Sequence, residues 1–130
     1  MADYQLGKGF LWQGSADVQR ALFVKAGTVA WSATAITAIT DVAIGVLQES
    51  IRGTDGATNK LLVPLWLPGS ISRVVANAAI AKGAKVAPAA NGKAQTAVST
   101  QFPVGIAMTA AAALNDEIDV MLIAGAVVLP

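Results

Sequence analysis

Asn115-Asp116-Glu117-Ile118-Asp119-Val120-Met121-Leu122-Ile123-Ala124-Gly125-Ala126-Val127-Val128 is the stretch from which the fold follows. An Asn-Asp turn signal comes first, and Glu117, Asp119 and Met121 then interleave with Ile118, Val120 and Leu122. Strict alternation predicts a strand with one buried face. The pattern recurs as Asn59-Lys60-Leu61-Leu62-Val63-Pro64-Leu65-Trp66-Leu67-Pro68-Gly69-Ser70-Ile71. With a constant offset, Asn59 matches Asn115, Leu62 matches Ile118, Leu65 matches Met121 and Gly69 matches Gly125. A repeat inside so short a chain predicts two similar supersecondary units.

Working outward, Phe23-Val24-Lys25-Ala26-Gly27-Thr28-Val29-Ala30 lies against Ile80-Ala81-Lys82-Gly83-Ala84-Lys85-Val86-Ala87, with Lys25 matching Lys82 and Val29 matching Val86. Each copy then reaches an apolar-Gly-apolar strand, Ile44-Gly45-Val46 and Val104-Gly105-Ile106. Glycine inside a strand marks a bulge or a close backbone approach. Asn91-Gly92 and Asp55-Gly56 are turn signals, and Thr109–Leu114 is expected to form one helical turn. Ser70-Ile71-Ser72-Arg73-Val74-Val75 alternates and is expected to be a strand closing the first copy. Pro64 and Pro68 lack the ladder donor, so Leu61–Leu67 is expected at a sheet edge and Ile118–Ile123 inside a sheet. These elements predict an all-β fold, a compact small barrel or β-sandwich-like domain of two tandem pseudo-repeats, 23–75 and 80–128, within residues 21–130. Gly45, Gly69, Gly105 and Gly125 are its fold-defining glycines.

Residues 1–20 differ. Gly7, Gly9 and Gly14 punctuate Phe10, Leu11 and Trp12 with no lasting period. Two readings stand: an extended arm that orders against a partner, with Tyr4, Phe10, Leu11 and Trp12 as contacts, or aromatics that cover one end of the core. Trp31 and Trp66 are expected in the core or in a subunit interface, and Lys82 and Lys85 as solvated turn lysines.

The chain has 130 residues, net charge +1, and neither histidine nor cysteine. A balanced charge gives no basic face for nucleic acid. Without His or Cys, the usual metal sites and nucleophile–base pairs lose their parts, so no catalytic, metal or cofactor residues are expected. Glu117 and Asp119 share a strand face and offer an acid–base or cation pair, but charges there also keep an exposed strand soluble. The Ala94–Asn115 stretch is too polar to span a membrane, and no targeting signal is visible.

The carrying segments, Ile44-Gly45-Val46, Leu65-Trp66-Leu67-Pro68-Gly69, Ala79-Ile80-Ala81-Lys82-Gly83-Ala84-Lys85-Val86, Val104-Gly105-Ile106-Ala107 and Val120-Met121-Leu122-Ile123, together resemble the short capsid decoration, or cement, proteins of tailed bacteriophages. The resemblance covers about residues 21–128. It implies a virion protein made in the host bacterial cytoplasm and placed on the outer capsid surface. Its partner would be the major capsid protein, its action the clamping of the expanded head, and its state a homo-oligomer, trimer before dimer. It implies neither nucleic acid nor membrane as a partner. The alternative is a small carbohydrate- or ligand-binding β-module using Trp12, Trp31 and Trp66.

Overall fold

The computed structural model describes residues 9–56, 62–98 and 101–123. Among these residues ten strands follow in order, and the first five are β1 (Gly9–Trp12), β2 (Phe23–Ala26), β3 (Ser32–Ala35), β4 (Ala43–Leu47) and β5 (Leu62–Trp66). The second five are β6 (Ile71–Val75), β7 (Lys85–Pro88), β8 (Ala94–Thr96), β9 (Gly105–Ala107) and β10 (Glu117–Leu122). One helical turn, α1 (Gly53–Gly56), precedes β5. The fold is all-β, as the alternation predicts.

Strands β1-β3-β2-β4-β5 close into a barrel, and β6-β10-β9-β7-β8 form a second, five-stranded sheet. The two orders correspond strand for strand. In the first unit the closing pair, β1 with β3, is parallel and brings Trp12 opposite Ala33. In the second, β6 and β8 approach through a single parallel bridge, Ala76 with Ala94. The bonds beside them match: Gln13 N–H donates to Ala33 O at 2.8 Å and Asn77 N–H to Ala94 O at 2.7 Å.

This register corrects the repeat read from the sequence. Gly45 stands opposite Val24, and Gly105 opposite Val86, so the two glycine strands match as expected. Val29, however, is not the counterpart of Val86. It lies in the β2–β3 turn at 52% exposure, whereas Val86 is fully buried. In the long strands Leu47 faces Leu65 and Ala107 faces Val120, so Leu65 corresponds to Val120, not to Met121. The sequence offset is one residue out, and a one-residue slip exchanges the two faces of a strand. The boundaries move as well. β6 pairs with β10, which makes it the opening strand of the second unit, not the close of the first. Its counterpart is β1, paired with β5. The units therefore run from β1 to β5 and from β6 to β10.

β10 lies between β6 and β9, inside its sheet as expected. β5 lies between β4 and β1, so it is not an edge, because the segment taken as an arm closes on it. Pro64 is accommodated opposite Gly9, and its carbonyl accepts the Gln48 N–H at 3.2 Å. The Thr109–Leu114 stretch forms no helical turn. Ala111 instead bridges Ile80, and the Asp116 carboxylate accepts the Ala112 and Ala113 N–H groups at 2.8 and 3.0 Å. A local side-chain acceptor here outcompetes alanine's helix preference.

Two cores result. Phe10, Trp12, Val24, Ala33, Leu47, Ile51, Val63 and Leu65 fill the first barrel. The second core gathers Val74, Val86, Ile118 and Val120 and also takes in Phe23, Ile36 and Val46 from the first unit. Phe23 and Val46 are cross-strand partners, so β2 and β4 turn one face into their own barrel and the other onto the second unit. The junction is also hydrogen-bonded. In the first unit Leu11 N–H closes on Trp31 O at 2.8 Å. At the corresponding seam of the second, Val75 N–H donates to Ala21 O at 3.0 Å and Phe23 N–H to Gly92 O at 2.8 Å. The backbone of Ala21–Phe23 is thus wedged into that seam. The fully buried Gln101 adds a further tie, its Nε2 donating to Pro88 O at 3.3 Å and Ile39 O at 3.5 Å.

Candidate functional site

Of the contact residues expected from the sequence, Tyr4 lies outside the described residues, as does Gly125 among the glycines. Phe10 is 8% and Trp12 1% exposed, both inside the first barrel, so for them the core reading holds and the contact reading is corrected. β1 pairs with β3 on one side and β5 on the other, and alternation sends Phe10 inward while Leu11 stays half-buried. Trp12 Nε1 is buried with no hydrogen-bond partner among the described residues.

Among the described residues the exposed aromatics are the two expected in the core or a subunit interface. Trp31 is 64% and Trp66 38% exposed. Trp31 sits in the β2–β3 turn with φ at +57°, a conformation unfavourable to a bulky side chain. The turn is held from below. Gln13 Oε1 accepts the Thr28 N–H at 2.7 Å, while Ser32 Oγ donates to Val29 O at 2.5 Å and accepts the Val29 N–H at 3.2 Å. Buried Ser32 and the Gln13 amide thereby fix the loop that presents the indole. The Trp31 ring also leans on Phe10, with centroids 6.0 Å apart and planes at 50°.

Beside Trp31 the outer surface continues as apolar. Leu11 is the direct partner of Ser32 on β3 and of Leu62 on β5. Leu62 is 69% and Val29 52% exposed. Leu11 and Leu62 are thus cross-strand neighbours on β1 and β5, and Trp31, in the turn leading into β3, adjoins them through its carbonyl, which accepts the Leu11 N–H at 2.8 Å, so the three form one strip. Of its carriers, Leu62 was missed in the sequence, whereas Trp31 was named there as a core or subunit-interface residue. A correct phase for β5 would have found Leu62, because Leu62, Pro64 and Trp66 alternate with inward Val63 and Leu65.

Glu117 and Asp119, the carboxylates that offered an acid–base or cation pair, each have an arginine partner. Glu117 pairs with Arg20 at 3.5 Å, and Asp119 with Arg73, its cross-strand partner, at 3.7 Å. Asp41, in the loop before β4, pairs with Lys25 at 2.9 Å. The Thr37 N–H, the Lys25 ammonium and the Ala38 N–H hold its carboxyl down at about 2 against the opposing effect of burial. Among the described residues no three of His, Cys, Asp and Glu are grouped to hold a metal ion. The surface here consists of a barrel wall, an aromatic held at its edge, and neighbouring aliphatics. Such fixed aromatics make effective interface anchors because little freedom is lost on binding.

No family model matches the chain, and no curated protein matches it. Among solved structures, the fold is similar to that in the crystal structure of the head fiber gp8.5 N base in bacteriophage phi29, with a TM-score of 0.69. The match covers 93% of this chain and 98% of that one at 13% sequence identity. Shared architecture over nearly the full length of both chains, at so low an identity, is a likeness of fold.

Proposed function

We propose that this chain is a structural, non-catalytic component of a tailed-phage head. It sits on the outer capsid surface, binds the major capsid protein and stabilises the expanded shell by clamping its subunits. The observation that carries this reading is the fixed apolar strip of Trp31, Leu11 and Leu62 on a closed barrel. The fold likeness to a phage head fiber base and the resemblance to capsid decoration proteins support it. A small protein repeated over a lattice stabilises it by avidity even when each contact is modest. A site completed only in the expanded shell binds that state selectively, and the differential affinity supplies the stabilisation. Self-association around a symmetry axis, as a trimer before a dimer, would multiply the contacts further.

Expanded capsids lacking the protein should take it up to a fixed ratio and resist disruption by heat or denaturant. The Trp31→Ala variant should bind at least about tenfold more weakly, as expected for loss of an interface anchor, with unchanged unfolding in solution. Absence of saturable binding by the parent protein would end the proposal. Undiminished binding by Trp31→Ala would remove the strip from it.

A further inference from the structure

We infer that the groove at the junction of the two units is a binding site for a neutral saccharide, with Trp66 as its stacking platform. This site is separate from the apolar strip. Trp66 ends β5 and Leu62 begins it, so they stand about 13 Å apart along the strand.

The groove is an open hollow of ≈ 320 Å³ that draws its walls from both units: Leu47, Gln48 and Trp66 from the first, and Ile71, Arg73 and Asp119 from the second. Arg20 lines it and also lines an adjoining hollow of ≈ 360 Å³ with Lys93, Asn115 and Glu117. Each hollow lies at the lower end of small-ligand sites, roughly 300–1,000 Å³. Sharing Arg20, they form a track suited to several sugar rings and too shallow to enclose a compact ligand.

The chemistry of the walls selects the ligand class. Trp66 and Gln48 both line the groove and bring an indole N–H donor and an amide that donates and accepts. The two arginines of the groove offer no net charge, and Lys93, in the adjoining hollow, donates to the neutral Asn115 Oδ1 at 2.6 Å. Arg73 is compensated by Asp119, and Arg20 by Glu117. What remains are guanidinium donors next to carboxylate acceptors, the arrangement that meets a vicinal diol, whose hydroxyls both donate and accept. A pyranose also presents an apolar C–H face, which matches the exposed indole and the neighbouring Ile71, 58% exposed. An anion would gain little from arginines already paired, and an apolar ligand would leave Gln48 and both ion pairs unsolvated.

The test uses the full chain labelled with 5-fluorotryptophan, whose three tryptophans report separately by fluorine NMR. The probes are neutral hexasaccharides of glucose and of N-acetylglucosamine, with a hexagalacturonate as the anionic control. A neutral probe should shift the Trp66 resonance and leave buried Trp12 and distant Trp31 unmoved. Trp66→Ala should weaken calorimetric binding at least about tenfold. Gln48→Ala, which removes only an amide, should weaken it in a protein whose unfolding curve is unchanged. The inference is overturned if no neutral probe shifts Trp66, if Trp66→Ala binds as the parent does, or if the hexagalacturonate binds more tightly. Capsid uptake by Trp66→Ala should equal that of the parent, so failure here and failure of the head-component role are read from different measurements.

Discussion

Asp41 illustrates how much one surface carboxylate can organise. Its Oδ2 accepts the Thr37 and Ala38 N–H groups at 3.0 Å each and the Lys25 ammonium at 2.9 Å, pinning the loop before β4. Its folded pKa, about 2, lies below the ordinary value. The folded state therefore binds fewer protons, and the stabilisation is present above the ordinary carboxylate pKa and lost as pH falls toward 2. Asp41→Asn should cost on the order of 1–2 kcal/mol at neutral pH, with the gap to the parent closing between pH 4 and 2. Urea titrations across that range measure it, and a gap independent of pH would refute the assignment. The paired glycines act by space instead of charge. A Cβ on Gly45 would stand 2.5 Å from Trp66 O, and one on Gly105 would meet the Val120 side chain and Met121 O. The apolar-Gly-apolar motif was legible in sequence because its cause is local crowding between adjacent strands. Trp31 was not, since its turn matches Gly92 in the second unit, where a glycine occupies the positive-φ position.

At the scale of the element, β1 carries the largest revision. Read alone, residues 1–20 show no strand period, and if they were an arm, deleting residues 2–14 would spare the fold. The structure reverses this expectation. β1 is the staple that closes the first barrel, bonded to β3 on one side and β5 on the other, and it delivers Phe10 and Trp12 to the core. Removing residues 2–14 should abolish the cooperative unfolding transition followed by circular dichroism. The milder Trp12→Ala should cost about 3–5 kcal/mol. A deletion variant that still unfolds cooperatively at the parental midpoint would return this segment to the status of an arm. β5 teaches the same lesson from the other side. Its prolines argue for an edge, but a four-residue strand from elsewhere in the chain turns the edge into an interior position.

Across the whole molecule, the two units share a topology and yet are not two independent bodies. Phe23 leaves the first barrel to enter the second core, and the Ala21–Phe23 backbone completes a seam that the second unit does not close by itself. Phe23→Ala should therefore cost about 3–5 kcal/mol and shift a single transition common to both units. Two separate transitions, only one of them displaced, would show that the units fold apart. The sequence by itself determined the all-β class, the presence of a repeat, the glycine strands and the lack of histidine and cysteine chemistry. These depend on composition and on side-chain alternation, which are local. Only the tertiary structure decided which strand opens each unit, the phase of β5 against β10, and which tryptophans reach the surface. Those depend on hydrogen-bonded pairing between segments far apart in the chain, and alternation with period two leaves the matching of one strand to another undetermined until a partner is in place.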